Sequence, residues 1–166
     1  MILVGLGANL DSRFGTPPET LAAARDEMER RGLRVLHQSS LWLTAPVPLS
    51  DQPWYHNQVV SVESDLPPET LLVQLQAIES AFGRVRSIPN APRLLDLDLI
   101  VYGRVTRNDP SLTLPHPRMH ERAFVLRPMR ERLPGTWRHP VSGQTLDEMI
   151  ADLPPEQEAH PLESCP

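Results

Sequence analysis

Asp96 and Asp98 interrupt a run that is otherwise apolar: Leu94-Leu95-Asp96-Leu97-Asp98-Leu99-Ile100-Val101-Tyr102. Bounded by Pro92 and Gly103, the run is too short for an ordinary helix and reads as a buried strand. Side chains alternate along a strand, so both aspartates share one face, their Cα atoms about 6.6 Å apart, and the leucines take the other. Carboxylates held that closely repel one another and lose solvation unless a cation compensates. Mg²⁺ suits them, being a hard ion commonly held by one or two carboxylates together with substrate phosphates. Taken alone, Asp-x-Asp fits a solvated sheet face equally well.

The surroundings favour the metal. Between Arg84 and Arg138 eleven arginines stand against five acids, a local balance of +6 in a chain whose formal net charge is −5. Guanidinium forks bind phosphate oxygens bidentately and stay charged at any working pH. Metal carboxylates beside Arg84, Arg86 and Arg93 therefore point to a polyphosphate ligand, against the alternative of a solvated arginine loop. His116, in Leu114-Pro115-His116-Pro117, would donate to a phosphate or simply stiffen a turn. Tyr55 and Asn57 share a strand face, where a ring to stack and an amide to hydrogen-bond would suit a flat heterocycle; a half-exposed strand pair is the plainer alternative. Gly5-Leu6-Gly7 lacks the third glycine of a dinucleotide fingerprint, Leu10 standing in its place, and reads as a structural turn. There is no Walker A sequence, which leaves phosphate to side chains and metal. His116 and His120 lie four apart, but Pro117 opens the segment and no glutamate holds the metalloprotease position, so no zinc site is expected. Trp42, Trp54 and Trp137 read as packing residues.

The elements that must position these groups follow from periodicity and punctuation. Residues 2–7 read as a first strand. Thr16-Pro17-Pro18-Glu19 looks like a helix start, with threonine as N-cap, proline at N1 and glutamate at N3. Leu21, Ala24 and Met28 give that helix its buried stripe, and Gly32 ends it. Leu33 to Leu43 reads as one long second strand. Pro46, Pro48 and Pro53 forbid regular pairing in the next loop, and Tyr55 to Glu63 alternates as a third strand. Asp65 is the expected cap of a second helix carrying Leu71, Leu75, Ile78 and Phe82 at helical spacing, with Gly83 as its stop. An arginine-rich loop (84–93) leads into the Asp-x-Asp strand. Helical segments are expected around Arg122–Leu133 and Thr145–Leu153. The order β-α-β-β-α-β describes an α+β, ferredoxin-like core: an antiparallel sheet with helices packed on one face, plus a C-terminal addition. Residues 1–153 are expected to form a single domain, and 154–166, with four prolines and no periodicity, a disordered tail.

Composition closes off several classes. The chain has 166 residues, enough for one domain with a real core, and a sequence pI near 5.6. Its acidity argues against a broad nucleic-acid surface. Cys165 is the only cysteine, so no disulfide framework or zinc cluster forms within the chain. Met1 to Leu6 lacks a positive n-region and is a strand rather than a signal peptide. No apolar run approaches transmembrane length. The expectation is a cytoplasmic monomer with small-molecule partners, and no nucleic acid or membrane among them.

Taken together, the segments resemble the 6-hydroxymethyl-7,8-dihydropterin pyrophosphokinase family. The resemblance rests on Gly5-Leu6-Gly7-Ala8-Asn9-Leu10, Thr44-Ala45-Pro46-Val47, Gln52-Pro53-Trp54-Tyr55-His56-Asn57, Gly83-Arg84-Val85-Arg86, Pro92-Arg93-Leu94-Leu95-Asp96-Leu97-Asp98-Leu99, Leu114-Pro115-His116-Pro117 and Arg122-Ala123-Phe124. It runs from about residue 2 to about residue 150, and the Pro-Arg-x-x-Asp-Leu-Asp segment is its most specific part. It implies transfer of pyrophosphate from ATP, the co-substrate, to the hydroxymethyl group of the dihydropterin. Two Mg²⁺ ions would be held by Asp96 and Asp98, while Arg84 and Arg93 would stabilise charge on the transferred group. By the same resemblance Gln76, Glu79, Arg84, Arg86, Arg93, Thr113, His116 and Arg122 fall on the ATP side. Thr44, Pro46, Val47, Tyr55, Asn57 and Phe124 fall on the pterin side. The loop between Arg86 and Arg93 is one residue shorter than in the best-known members, with Asn90 where they carry an aromatic. Ser111 stands where an arginine is common and Pro117 where a tyrosine is. A non-catalytic ligand-binding relative and a ferredoxin-like interaction module are the alternatives; the retained arginines and the net acidity, respectively, weigh against them.

Overall fold

The computed structural model describes residues 1–83 and 92–162. The chain runs through β1 (Ile2–Ala8), α1 (Pro17–Arg30), β2 (Arg34–Gln38), β3 (Trp42–Thr44), β4 (Tyr55–Glu63), α2 (Pro68–Ala81), β5 (Asp96–Tyr102), β6 (Arg107–Asn108), β7 (Thr113–Leu114), α3 (Ala123–Arg130), α4 (Leu146–Ala151) and β8 (Ala159–Pro161). The principal sheet has the order β5-β1-β4-β3-β8, with β2 also pairing β4; β6 and β7 make a separate two-stranded ribbon. Every pairing in it is antiparallel. Among the described residues no helix is long and apolar enough to cross a membrane.

Strand alternation splits the core in two. Ile2, Val4 and Leu6 of β1, with Leu97 and Leu99 of β5, face α1 and α2, where Leu21, Met28, Leu71, Leu75 and Ile78 are fully buried. Leu3, Val59 and Val101 turn the other way, onto Val125, Leu126 and Met129 of α3 and Leu146 and Met149 of α4. Helices therefore cover both faces. The expected single helical face describes α1 and α2 only, because the C-terminal helices close the second face, without which Leu3 and Val59 would meet water.

The helix starts obey local chemistry. The Glu19 carboxylate reaches back to the Thr16 N–H at 3.1 Å, and Gly32, at φ 83°, ends α1. At α2 the expected cap is corrected: Pro67 holds the N-cap position, and Asp65 lies two residues upstream. The expected single strand from Leu33 to Leu43 is also corrected, since it forms β2 and β3. Gln38 pairs with Val60 and Trp42 with Asn57, so one side advances by one residue more than the other, a bulge centred on Ser39 to Leu41. Ser39 heals it, accepting the Val59 N–H on its Oγ at 3.0 Å. Gly5 and Gly7 are not a turn but lie within β1. The segment expected to be a tail carries β8, hydrogen-bonded along β3; Pro161 is its last residue, opposite Trp42, and Pro154 and Pro155 lie upstream of it.

Candidate active site

β5 is the edge of the sheet, so half of its backbone N–H groups face away from β1. Glu79 of α2, only 1% exposed, turns its carboxylate onto one of them, accepting the Leu97 N–H at 2.8 Å. The strand is thus gripped at the residue between the two aspartates. Leu97 and Leu99 are buried, while Asp96 and Asp98 are half-buried in alternation with them. Across the strand pair, Asp96 stands opposite Gly7 and Asp98 opposite Gly5.

The two carboxylates open on different hollows. Asp96 lines a narrow cavity of about 80 Å³ with Tyr55, Asn57, Arg93, Arg122 and Phe124. Asp98 lines a second of about 210 Å³ with Gln76, Thr113, His116 and Pro117. Hydrogen bonds fix the first cavity from behind. Asn57 donates to Thr44 Oγ1 at 2.6 Å, which orients its amide. A Cβ on Gly7 would come within 2.5 Å of Asn57 Oδ1, so only glycine leaves Asn57 in place. Asn9, 4% exposed, donates to Gln52 Oε1 and to the Pro53 carbonyl, both at 2.9 Å, and accepts the Arg93 N–H at 2.8 Å. Arg93 Nη1 lies 3.6 Å from Asp96 Oδ1. The Arg122 guanidinium sits 5.3 Å from the centre of the Phe124 ring.

In the second cavity His116 is held at its backbone and its ring. His116 donates its backbone N–H to the Ile100 carbonyl at 2.8 Å, and its Nδ1 accepts from the Arg118 N–H at 3.2 Å. That leaves the ring proton on Nε2. Burial, with the Arg122 and Arg118 cations nearby, pushes His116 down to about 4. It is a neutral donor at pH 7. Ser111 and Pro117, two positions of departure from the family pattern, line this cavity.

Of the residues named from sequence, Val47, Tyr55, Asn57 and Phe124 gather in the first cavity, as do Arg93 and Asp96. Thr44 and Pro46 are buried, and Thr44 acts through Asn57. Gln76, Asp98, Thr113 and His116 gather in the second. Three differ in placement. Arg93 and Arg122, both assigned to the ATP side, line the first cavity, Arg122 because it immediately precedes α3, which carries Phe124. Glu79 lines neither; it braces β5 from behind. Arg84, Arg86 and Asn90 lie outside the described residues. Gly7, Ala45 and Gln52 also line the first cavity without having been assigned to it, and Asn9 supports it. A buried asparagine directly after an apolar strand was the available signal for Asn9.

Among the described residues no three His, Cys, Asp or Glu side chains converge as a metal cage. Two neighbouring carboxylates without a third protein ligand are the donor set of a Mg²⁺ site completed by phosphate oxygens and water, and they fit that ion.

The chain is similar to proteins of one named family. The family model for 7,8-dihydro-6-hydroxymethylpterin-pyrophosphokinase matches residues 3–134. The chain is 39% identical over 154 residues to the 2-amino-4-hydroxy-6-hydroxymethyldihydropteridine pyrophosphokinase of Pseudomonas aeruginosa, covering 92% of this chain and 91% of that one. It is 40% identical over 155 residues to the protein of the same name from Synechocystis sp., covering 91% and 75% respectively. It is also 40% identical over 145 residues to the folic acid synthesis protein fol1 of Pneumocystis carinii, covering 87% of this chain but only 19% of that longer protein. The chain belongs to the 7,8-dihydro-6-hydroxymethylpterin-pyrophosphokinase family.

Proposed function

We propose that the chain transfers a pyrophosphoryl group from ATP to 6-hydroxymethyl-7,8-dihydropterin in folate biosynthesis. The hydroxymethyl oxygen attacks the β-phosphorus, the bond from that phosphorus to the α,β-bridging oxygen breaks, and AMP leaves. The pterin keeps the diphosphate, and the hydroxyl proton passes to solvent. The observation that carries this reading is the junction on β5: Asp96 opens on the cavity with Tyr55, Asn57 and Phe124, and Asp98 on the cavity with Gln76, Thr113 and His116. Two aspartates one alternation apart on the same strand thus reach a narrow slot and a second, larger hollow.

Such a transfer needs positioning and electrostatic stabilisation rather than a protein nucleophile. The pterin ring lies against Tyr55 and Phe124, and the pre-oriented Asn57 amide reads its edge. Thr113, Gln76 and the His116 Nε2–H address the nucleotide, and Glu79 keeps β5 straight beneath it. Arg93 presents its fork beside Asp96, where charge on the transferred group develops, with Arg84, Arg86 and Arg122 as further phosphate partners. Asp96 and Asp98 would hold two Mg²⁺ ions, which neutralise phosphate charge and align the attacking and leaving oxygens when bound. The antiparallel order β5-β1-β4 followed by β2 and β3 supports reading the core as ferredoxin-like, with the segment after β5 as its addition. We read residues 1–153, with β8 joined to their sheet, as one catalytic domain that works as a cytoplasmic monomer on small molecules, without nucleic acid or membrane.

The test is direct. Purified protein with ATP, Mg²⁺ and the hydroxymethyl-dihydropterin should release AMP in step with pterin diphosphate. Intact, folded protein that binds both substrates at saturation without releasing AMP would overturn the reading.

A further inference from the structure

The segment 157–160 lies beyond the residues matched by the family model and lines none of the first cavity, yet its consecutive residues back several of that cavity's walls. Gln157 bridges the entrance to α3: its Oε1 accepts the Ala123 N–H at 2.9 Å, and its Nε2 donates to the Glu121 carbonyl at 2.8 Å. Those two bonds bracket Arg122 and fix the first turn that carries Phe124. The Ala123 N–H is one of the helix-start donors that no intrahelical carbonyl can satisfy, and Arg122 at the N-cap offers no side-chain acceptor. The Glu158 carbonyl accepts the Ala45 N–H at 3.0 Å. Ala159 pairs with Thr44, the residue that orients Asn57. The His160 ring stacks with Trp54, centroids 6.3 Å apart, directly before Tyr55.

We propose that residues 157–160 are a positioning strap for the heterocycle slot, with Gln157 its principal side chain. Gln157 holds the Arg122–Phe124 wall while β8 holds the Thr44–Ala45 wall, and together they set the width of the gap between them. The second cavity is built on α2, β5 and residues 110–117, and no strap residue lines it. The strap therefore bears chiefly on pterin affinity; Arg122 is the one residue it holds that also reaches toward phosphate, so nucleotide affinity shifts little. The proposal rests on reading the Asp96 cavity as the pterin side.

The experiment compares wild type, Gln157→Ala and Gln157→Glu in the full chain. It measures KM for pterin and ATP, binding of the oxidised pterin analogue and of an ATP analogue, and thermal melting. Loss of the two Gln157 hydrogen bonds, which together fix the start of α3, should raise the pterin KM and analogue Kd of Gln157→Ala roughly tenfold, with ATP values within about twofold of wild type. Gln157→Glu keeps the acceptor for Ala123 N–H and should fall between the two. A pterin KM within twofold of wild type in Gln157→Ala overturns the strap. Equal weakening of both substrates with a lowered melting temperature also overturns it, since that is a general structural role. Wild-type protein that binds the ATP analogue but no pterin overturns the underlying reading of the cavity instead, and the strap falls with it.

Discussion

The two hollows on either side of β5 are built on different principles. The Asp96 cavity draws its walls from β1, β4, the 45–52 loop and the start of α3, and its polar groups are held from behind: Asn57 by Thr44, Gln52 and the Arg93 backbone by Asn9. The Asp98 cavity is larger and lies over the sheet edge, lined mostly by α2, β5 and residues 110–117. Rejecting a wrong heterocycle requires donors and acceptors whose positions do not yield, because only an unpaired polar group in a rigid site costs enough to discriminate. Holding a polyphosphate depends more on charge, which tolerates looser geometry. On the proposed reading, the side braced by these bonds reads identity and the other holds the donor.

The largest expected effect tests the border between them. Asp96→Ala should lower kcat by about a thousandfold or more while the fold persists, since it removes half of the only paired carboxylates on β5. Comparable AMP release from this variant would break the comparison at its centre. Next is Asn57→Ala, which leaves Thr44 Oγ1 facing an empty amide position. It should raise the pterin KM about ten- to a hundredfold and leave the ATP KM nearly unchanged. Gly7→Ala should act in the same direction through a different cause, because the new methyl would meet Asn57 Oδ1 at 2.5 Å. A shift of about 1–3 kcal/mol in pterin binding is expected from that overpacking, and an equal change in ATP binding would erase the contrast between the two sides.

A smaller effect sharpens the nucleotide side. His116 titrates at about 4 in the fold and near 6.5 when exposed. Between those values the unfolded chain binds more protons than the folded one, so this residue's contribution to stability is present above about pH 6.5 and is lost as pH falls toward 4. Thermal melting of wild type should therefore drop more between pH 7 and pH 4.5 than that of His116→Gln. Parallel curves would place the imidazole in water.

Where the sequence was legible, one physical rule governed each element. Alternation alone recovers β4, because Tyr55 to Glu63 lies in the sheet with one face on each core. The Thr16-to-Glu19 start and the Leu21, Ala24 and Met28 stripe recover α1 for the same reason. The misses lie where long-range pairing overrides local pattern. No local signal marks the bulge at Ser39, since it exists only in the register against β4. β8 is three residues ending in Pro161, too short to show periodicity, and it becomes a strand only because β3 offers an edge. The site shows the same division. Asp96, Asp98, Tyr55 and Asn57 declared themselves by type and spacing, whereas Asn9 and Gln157 act through partners more than thirty residues away.

β1 carries no side chain at the two points opposite the aspartates, Gly5 and Gly7. The room they leave is taken by neighbours: the Ile100 side chain packs over Gly5 and the Asn57 amide over Gly7. A larger residue at either point would push on the side chain lodged there. The strand that contributes least chemistry thus decides where its neighbours' side chains can sit.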